Sequence, residues 1–166
     1  TFSQIYTLFS TIFEHFHREI QHCCRTSGRN ALVNRTEAVS CVFALLCLNF
    51  RSDRNHAREI GNSERAELVA VADLNREHAQ QVAEEHGSSV WSDYREMIAS
   101  ENLDAVVVAS PHHLHASIGL DCLQAGLHTF VEKPIANTVS QADRLVEEAR
   151  ARGLKLGVGH NYRTFP

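Results

Sequence analysis

The sequence predicts an α/β protein with a doubly wound parallel sheet, and three observations support this fold class. Short apolar segments alternate along the chain with stretches whose apolar residues recur at helical spacing. The apolar segments are almost continuously hydrophobic, which is typical of parallel strands covered on both faces. Glycine follows most of the helical stretches, where a helix can end in the left-handed conformation. Right-handed crossovers then predict the strand order 3-2-1-4-5-6, with a ligand crevice at the carboxyl ends of strands one and four.

The six strands are predicted from short runs of apolar and β-branched residues. The fourth run is almost entirely valine, and the fifth must end before Pro134, which cannot donate to a strand ladder. The predicted strands comprise residues 42–48, 68–72, 89–91, 105–109, 129–132 and 154–158.

The helices are predicted from apolar residues on one face together with end signals. Asp93 with Glu96, and Thr138 with Gln141, have the spacing of a capping box, in which each side chain bonds the other residue's backbone N–H. The predicted helices comprise residues 54–60, residues 75–86, a helix that carries Met97 and Ile98, residues 114–125, and a helix that begins after Thr138 and is ended by Gly153.

Composition and charge narrow the class of protein. The 166 residues are enough for one domain with a real core. The formal net charge of −4 gives no reason to expect a nucleic-acid or membrane partner. The chain has 5 cysteines, an odd number, and Cys47 and Cys122 lie in apolar runs, so we expect reduced thiols in a cytoplasmic protein.

Residues 1–40 differ in character from the rest of the chain. Their first half has apolar residues at helical spacing, which predicts an amphipathic helix. We expect it to pack on the domain or on a partner, with membrane association as the alternative. The second half is polar and has no clear period. We therefore divide the chain into an extension of unassigned role, residues 1–40, and an α/β domain, residues 41–166. The apolar residues of the predicted helix are Ile5, Leu8, Phe9, Ile12, Phe13, Phe16 and Ile20.

Asp73 follows the second predicted strand. In a dinucleotide-binding sheet, an acid at this place bonds the adenosine ribose hydroxyls and repels the additional phosphate of NADP. The alternative is that Asp73 is a turn residue or helix cap in the sequence Asp73-Leu74-Asn75.

Glu132 and Lys133 follow the fifth predicted strand, where ligands bind in open parallel sheets. A lysine held at this edge could exchange a proton with a bound substrate. The alternative is an ion pair on the surface at a strand end.

Ser110 and Pro111 follow the fourth predicted strand, and three histidines come directly after them: His112, His113 and His115. Three explanations fit this run: a zinc site, solvated residues of a helix that Pro111 begins, or a wall of a cofactor pocket. Adjacent histidines point in different directions, which disfavours zinc. Further polar candidates without an assigned role are His56, His160, Asn161 and Arg163.

Four of these motifs together resemble the nucleotide-binding domain of the Gfo/Idh/MocA oxidoreductases. They are Ala72-Asp73, the run from Pro111 to His115, Glu132-Lys133-Pro134 and Asn161-Tyr162-Arg163, and the resemblance extends over about residues 55–166. It implies a Rossmann-like fold that binds NAD or NADP, and the acid at Asp73 favours NAD. It also implies hydride transfer between the nicotinamide and a carbon of a sugar or polyol, and a homo-oligomer in the full-length family.

The resemblance also implies roles for individual residues. Lys133 would be catalytic, orienting the reacting hydroxyl or exchanging a proton with it, and would lie beside the cofactor. Glu132 would face the nicotinamide ribose and Asp73 would hold the adenosine ribose. Ser110, Pro111 and His115 would line the dinucleotide cleft. No metal is implied.

Two departures from the family pattern are visible. The family's three phosphate-loop glycines would fall at Leu48, Phe50 and Asp53, and the chain has no glycine between Gly28 and Gly61. The family's C-terminal substrate domain is also absent from this sequence. We therefore expect either the cofactor domain of an oxidoreductase or a truncated or mis-spliced, non-catalytic remnant with impaired or no dinucleotide binding.

Overall fold

A computed structural model describes residues 15–16, 18–20, 41–47, 52–64 and 66–159. Its centre is one parallel sheet of six strands, whose spatial order is the third, second, first, fourth, fifth and sixth strand along the chain. The predicted fold class and strand order are both confirmed. The strands are β1 (Cys41–Cys47), β2 (Ala66–Ala72), β3 (Ser89–Trp91), β4 (Ala105–Ala109), β5 (His128–Val131) and β6 (Leu156–Val158).

One α-helix lies in each of the five crossovers between consecutive strands. The predicted helix that included Leu114 is divided, because a short 3₁₀ turn over His112–Leu114 comes before the α-helix. The helices are α1 (Ser52–Gly61), α2 (Arg76–His86), α3 (Tyr94–Ser100), α4 (His115–Gln124) and α5 (Val139–Ala151). None of the helices within the described ranges has the length and hydrophobicity that a bilayer-spanning helix requires.

The last strand begins two residues later than predicted. Gly153 adopts a left-handed φ of 65° after α5, and the Leu154 N–H bonds back to the Ala149 carbonyl at 2.8 Å. Leu154 therefore belongs to the helix end, since its N–H completes the cap of α5 and is not offered to a neighbouring strand.

Local capping explains where three helices begin. The side chains of Asn75 and Asp93 accept backbone N–H groups at the starts of α2 and α3. At α5 the Thr138 hydroxyl accepts the Gln141 N–H at 3.3 Å. The return bond differs from the predicted box, because the Gln141 side chain accepts the N–H of Asn137 at 3.2 Å, one residue earlier than Thr138.

Thr138→Ala should lower the free energy of unfolding by about 1 kcal/mol, because the first turn of α5 loses its side-chain acceptor. Urea unfolding followed by circular dichroism measures this change. Thr138→Ser is the matched control and should unfold like the unsubstituted chain, since the hydroxyl remains. An equal loss in both variants would assign the effect to the threonine methyl group rather than to the cap.

Both faces of the sheet are covered, as the continuous apolar strands predict. Every residue of β4 is buried, and its side chains alternate between two clusters. Val107 packs with Phe43 and Phe130 on one side, whereas Val106 and Val108 pack on the other. This burial holds the strand ends, and the loops that follow them, at one defined edge.

Part of the N-terminal extension packs on the domain. Within the described part, Phe16 and Ile20 are buried, and the Phe16 ring meets Phe130 edge to face at 5.4 Å. The Lys155 ammonium also pairs with Glu19 at 2.8 Å. The remainder of the predicted helix lies outside the described residues, and the boundary between residues 40 and 41 stays a prediction.

Candidate functional site

The carboxyl ends of β2, β3 and β4 border a cleft of about 300 Å³. The doubly wound topology predicts the crevice at this same edge, at the ends of β1 and β4. Of these two strands, only the end of β4 contributes to the described lining of the cleft. The cleft is lined by Ala72, Asp73, Leu74, Ser92, Asp93, Tyr94, Arg95, Ser110, Leu114, Ser117 and Ile118.

Asp73 lies in the cleft wall directly after β2 and is only 3% exposed. Its Oδ1 accepts the Asn75 N–H at 2.8 Å, and its Oδ2 lies 2.6 Å from Nδ1 of His78. The turn interpretation of Asp73 is therefore correct as local structure, although the cap of α2 is Asn75. A turn role does not exclude ligand binding, since each carboxylate oxygen can accept more than one hydrogen bond.

Ser110 lies across the same cleft, directly after β4. It is 4% exposed, and its hydroxyl oxygen has no hydrogen-bond partner within the described part of the chain. A buried hydroxyl without a partner carries a free-energy cost that a polar ligand can remove. The Asp73 carboxylate and this hydroxyl therefore offer hydrogen-bond acceptors and a donor to a polar ligand in the same cleft.

His115 is buried at the start of α4 and is 1% exposed. Its Nε2 lies 2.6 Å from the Ser110 carbonyl and its Nδ1 lies 2.6 Å from the Pro134 carbonyl. Of the three residues predicted to line the cleft, Ser110 does so, and neither His115 nor Pro111 is among the lining residues. Pro111 precedes and caps the 3₁₀ turn next to His115. The ring therefore connects the end of β4 to the turn that follows β5.

Glu132 lies at the end of β5, and its side chain is 16% exposed. Its Oε1 accepts from Nε2 of His56 at 2.9 Å, and its Oε2 accepts the Lys133 N–H at 2.9 Å. Burial raises the pKa of this carboxyl, but the hydrogen bond and charge of His56, with the N–H and charge of Lys133, outweigh burial and lower the pKa overall. The group is therefore held as a carboxylate.

His56 is the functional candidate whose partner the sequence did not reveal. It is 1% exposed on α1, and its imidazole meets the Phe130 ring edge to face at 6.0 Å. The signal that could have found it is spacing, because His56 and the buried Ile60 are four residues apart on one helix face. A histidine on an apolar face requires a polar partner, which here is Glu132.

Lys133 follows Glu132 and is exposed, and its bond to Pro134 is cis. The structure thus groups the predicted site residues in two sets. Asp73 and Ser110 share the cleft, while Glu132 and Lys133 lie at the end of β5, which pairs with β4. His115 connects the two sets through its two carbonyl contacts.

A polar cluster at the start of α3 also borders the cleft, and sequence reasoning missed it. The hydroxyl of Tyr94 donates to Asp121 at 2.6 Å, and the Arg95 guanidinium pairs with the same carboxylate oxygen at 2.9 Å. Burial, followed by the hydrogen bond to Asp121, raises the pKa of Tyr94. Asp121 lies on α4, more than twenty residues away, so no local pattern could indicate the contact.

Several predicted candidates cannot be placed. Leu48, Phe50, His160, Asn161 and Arg163 lie outside the described residues. Within the described ranges, no group of three or more histidine, cysteine, aspartate or glutamate side chains could hold a metal ion.

The family model described as an oxidoreductase family with an NAD-binding Rossmann fold, GFO_IDH_MocA, matches residues 49–160. An inositol 2-dehydrogenase from Rubrobacter xylanophilus is 42% identical over 91 residues, covering 55% of this chain and 26% of the relative. A D-glucoside 3-dehydrogenase from Escherichia coli is 37% identical over 113 residues, covering 68% of this chain and 32% of the relative. The chain therefore spans about a quarter to a third of the length of these relatives.

Solved structures agree with these relatives. The crystal structure of GenD2 from gentamicin A biosynthesis in complex with NAD superposes with a TM-score of 0.70 and 28% identity, covering 77% of this chain and 37% of that one. Family match, strand order and cleft position all agree with the resemblance of the four motifs. The chain belongs to the Gfo/Idh/MocA oxidoreductase family and contains its NAD-binding Rossmann domain.

Proposed function

We propose that this chain binds NAD and is the nucleotide-binding part of a dehydrogenase that acts on a CH–OH group of a sugar or polyol. The observation that carries the proposal is the cleft at the ends of β2 and β4, where the Asp73 carboxylate and the unpartnered Ser110 hydroxyl lie together. Relatives named for inositol and glucoside dehydrogenation support the substrate class.

NAD, rather than NADP, is the proposed cofactor because of Asp73. Its carboxylate can accept hydrogen bonds from ribose hydroxyls, but it would repel the additional phosphate of NADP. Asp73 is almost completely buried, so solvent screens this repulsion only weakly.

The turn after β5 is the proposed site of the reaction. When bound, the nicotinamide accepts or supplies a hydride. Lys133 is proposed to orient the substrate hydroxyl and exchange its proton. Its side chain is exposed, and its backbone N–H bonds the Glu132 carboxylate. Glu132 is proposed to face the nicotinamide ribose, and its bond to His56 holds it in a fixed position.

His115 and Pro111 are proposed to shape the cleft from behind. Because the His115 ring contacts the Ser110 and Pro134 carbonyls, it keeps the adenosine side of the site aligned with the turn that carries Lys133. Pro111 caps the 3₁₀ turn that places His115.

A second candidate function is a folded remnant that binds dinucleotides poorly or not at all. The observation that favours it is the absence of glycine between Gly28 and Gly61, where the family places its phosphate loop. Under this alternative the fold persists without a working phosphate site.

A cytoplasmic location belongs to the proposal and rests on the cysteines. Cys122 is buried and has a free thiol, and burial raises its pKa. Such a buried thiol remains protonated and unreactive. A cysteine without a disulfide partner is typical of proteins in a reducing compartment. Association with further copies, as the family resemblance implies, is likewise proposed.

Calorimetric titration with NADH tests the proposed function. We expect a dissociation constant in the micromolar range, and Asp73→Ala should weaken binding by about tenfold, since it removes a charge-assisted hydrogen-bond acceptor. Asp143→Ala is the matched control, because it removes an exposed carboxylate from α5. No heat of binding at millimolar NADH would support the remnant instead.

A further inference from the structure

His78 lies on the first turn of α2 and has an unusually close contact with the candidate ribose-binding acid. Its Nδ1 is 2.6 Å from Oδ2 of Asp73, and its side chain is 18% exposed, whereas that of Asp73 is 1% exposed. An ionised carboxylate only accepts hydrogen bonds, so the imidazole must carry its proton on Nδ1 here. His78 therefore donates a hydrogen bond to Asp73, the residue on which the proposed choice of NAD over NADP depends.

The two bonds to Asp73 determine how the carboxylate is presented. The Asn75 N–H occupies one site on Oδ1, and the His78 N–H occupies one site on Oδ2. One acceptor site remains on each oxygen, which matches the two hydroxyls of a ribose. With both oxygens held, rotation about the bond between Cβ and the carboxyl carbon would break a hydrogen bond.

The backbone around His78 strengthens this arrangement. Asn75 accepts the N–H groups of Glu77 and His78 through its side chain, and its own N–H bonds Asp73. The end of β2 and the first turn of α2 are thus joined by four hydrogen bonds within six residues. His78 is the member of this set whose side chain bonds the carboxylate directly.

We propose that His78 is a positioning residue that holds the Asp73 carboxylate towards the cleft and thereby determines the preference for NAD over NADP. This inference rests on the proposed function. Without the imidazole, the carboxylate can turn away from the cleft, so it would bond the ribose diol less well and repel a 2′-phosphate less strongly. The NADH-to-NADPH affinity ratio should respond, because the two ligands change in opposite directions.

The test is calorimetric titration of the unsubstituted chain and its variants with NADH and with NADPH. His78→Ala should lower the NADH-to-NADPH affinity ratio by about tenfold, as expected for a lost charge-assisted hydrogen bond. His78→Asn is the matched control, because its amide N–H can occupy the place of the Nδ1 proton and should keep the ratio. In an Asp73→Ala background, His78→Ala should leave the ratio unchanged, since His78 acts through Asp73.

The outcomes separate this inference from the proposed function. If the unsubstituted chain binds neither dinucleotide, the proposed function fails and the role of His78 fails with it. If it prefers NADH and His78→Ala weakens both ligands equally, His78 only supports the fold and the inference alone is overturned. A stronger NADH preference in His78→Ala would mean that His78 attracts the 2′-phosphate of NADPH. This result would also overturn the inference.

Discussion

Replacing Leu48, Phe50 and Asp53 together by glycine is expected to strengthen NADH binding by at least about 100-fold, since two restored charge-assisted hydrogen bonds would contribute about 1.5–3 kcal/mol each. Leu48 and Phe50 fall in the segment between β1 and α1, and Asp53 is the second residue of α1. The family's glycines at these positions allow a tight turn and close approach of backbone N–H groups to the pyrophosphate. Calorimetric titration of both proteins with NADH measures the gain.

The alanine version of the same triple substitution separates charge and bulk from backbone freedom. It removes the Asp53 carboxylate and the large side chains, but it keeps the Cβ atoms that exclude left-handed conformations and close approach. We expect this variant to gain no more than about tenfold, because only crowding and charge repulsion are relieved. An alanine variant that binds as tightly as the glycine variant would contradict the phosphate-loop explanation.

The second large effect concerns the buried contact between His56 and Glu132. His56→Leu should lower the free energy of unfolding by about 3 kcal/mol, because a largely buried carboxylate loses its imidazole partner. The side chains are 1% and 16% exposed, so water can replace little of the lost interaction. Urea unfolding at neutral pH measures the loss.

A double variant, His56→Leu with Glu132→Leu, is the control for this contact. The double variant removes the buried carboxylate together with its imidazole partner. It should therefore recover much of the free energy of unfolding that His56→Leu loses. Glu132→Leu alone completes the cycle. If the loss in the double variant equals the sum of the losses in the two single variants, the two residues are not coupled.

The same contact predicts a dependence of stability on pH. The pKa of Glu132 is lower in the folded chain than its ordinary value of 4.5, so the folded state favours the carboxylate. Its stabilisation is fully present above that ordinary value and is lost as the pH falls through the lower, folded pKa. Glu132→Gln should therefore flatten this acidic part of the stability profile, and an unchanged slope would contradict the assignment.

Local sequence signals determined most of the fold. Valine-rich runs, helix caps at Asp93 and Thr138, and glycines after helices all act within a few residues, so they predict local structure without knowledge of the tertiary fold. The strand order followed because right-handed crossovers leave few ways to arrange such elements. The departures occurred at element ends, such as Leu154, where a hydrogen bond to the preceding helix delays the strand.

The sequence by itself also determined which acid and which lysine stand at strand ends, since a strand's end is a local property. Only the tertiary structure decided what these residues contact. Asp121 contacts Tyr94 and Arg95, and Glu132 contacts His56. These residues are so far apart along the chain that no periodic pattern in the sequence indicates the contacts. The physical reason is that such contacts depend on how helices pack against the sheet, and packing brings together side chains whose distance along the chain carries no signal.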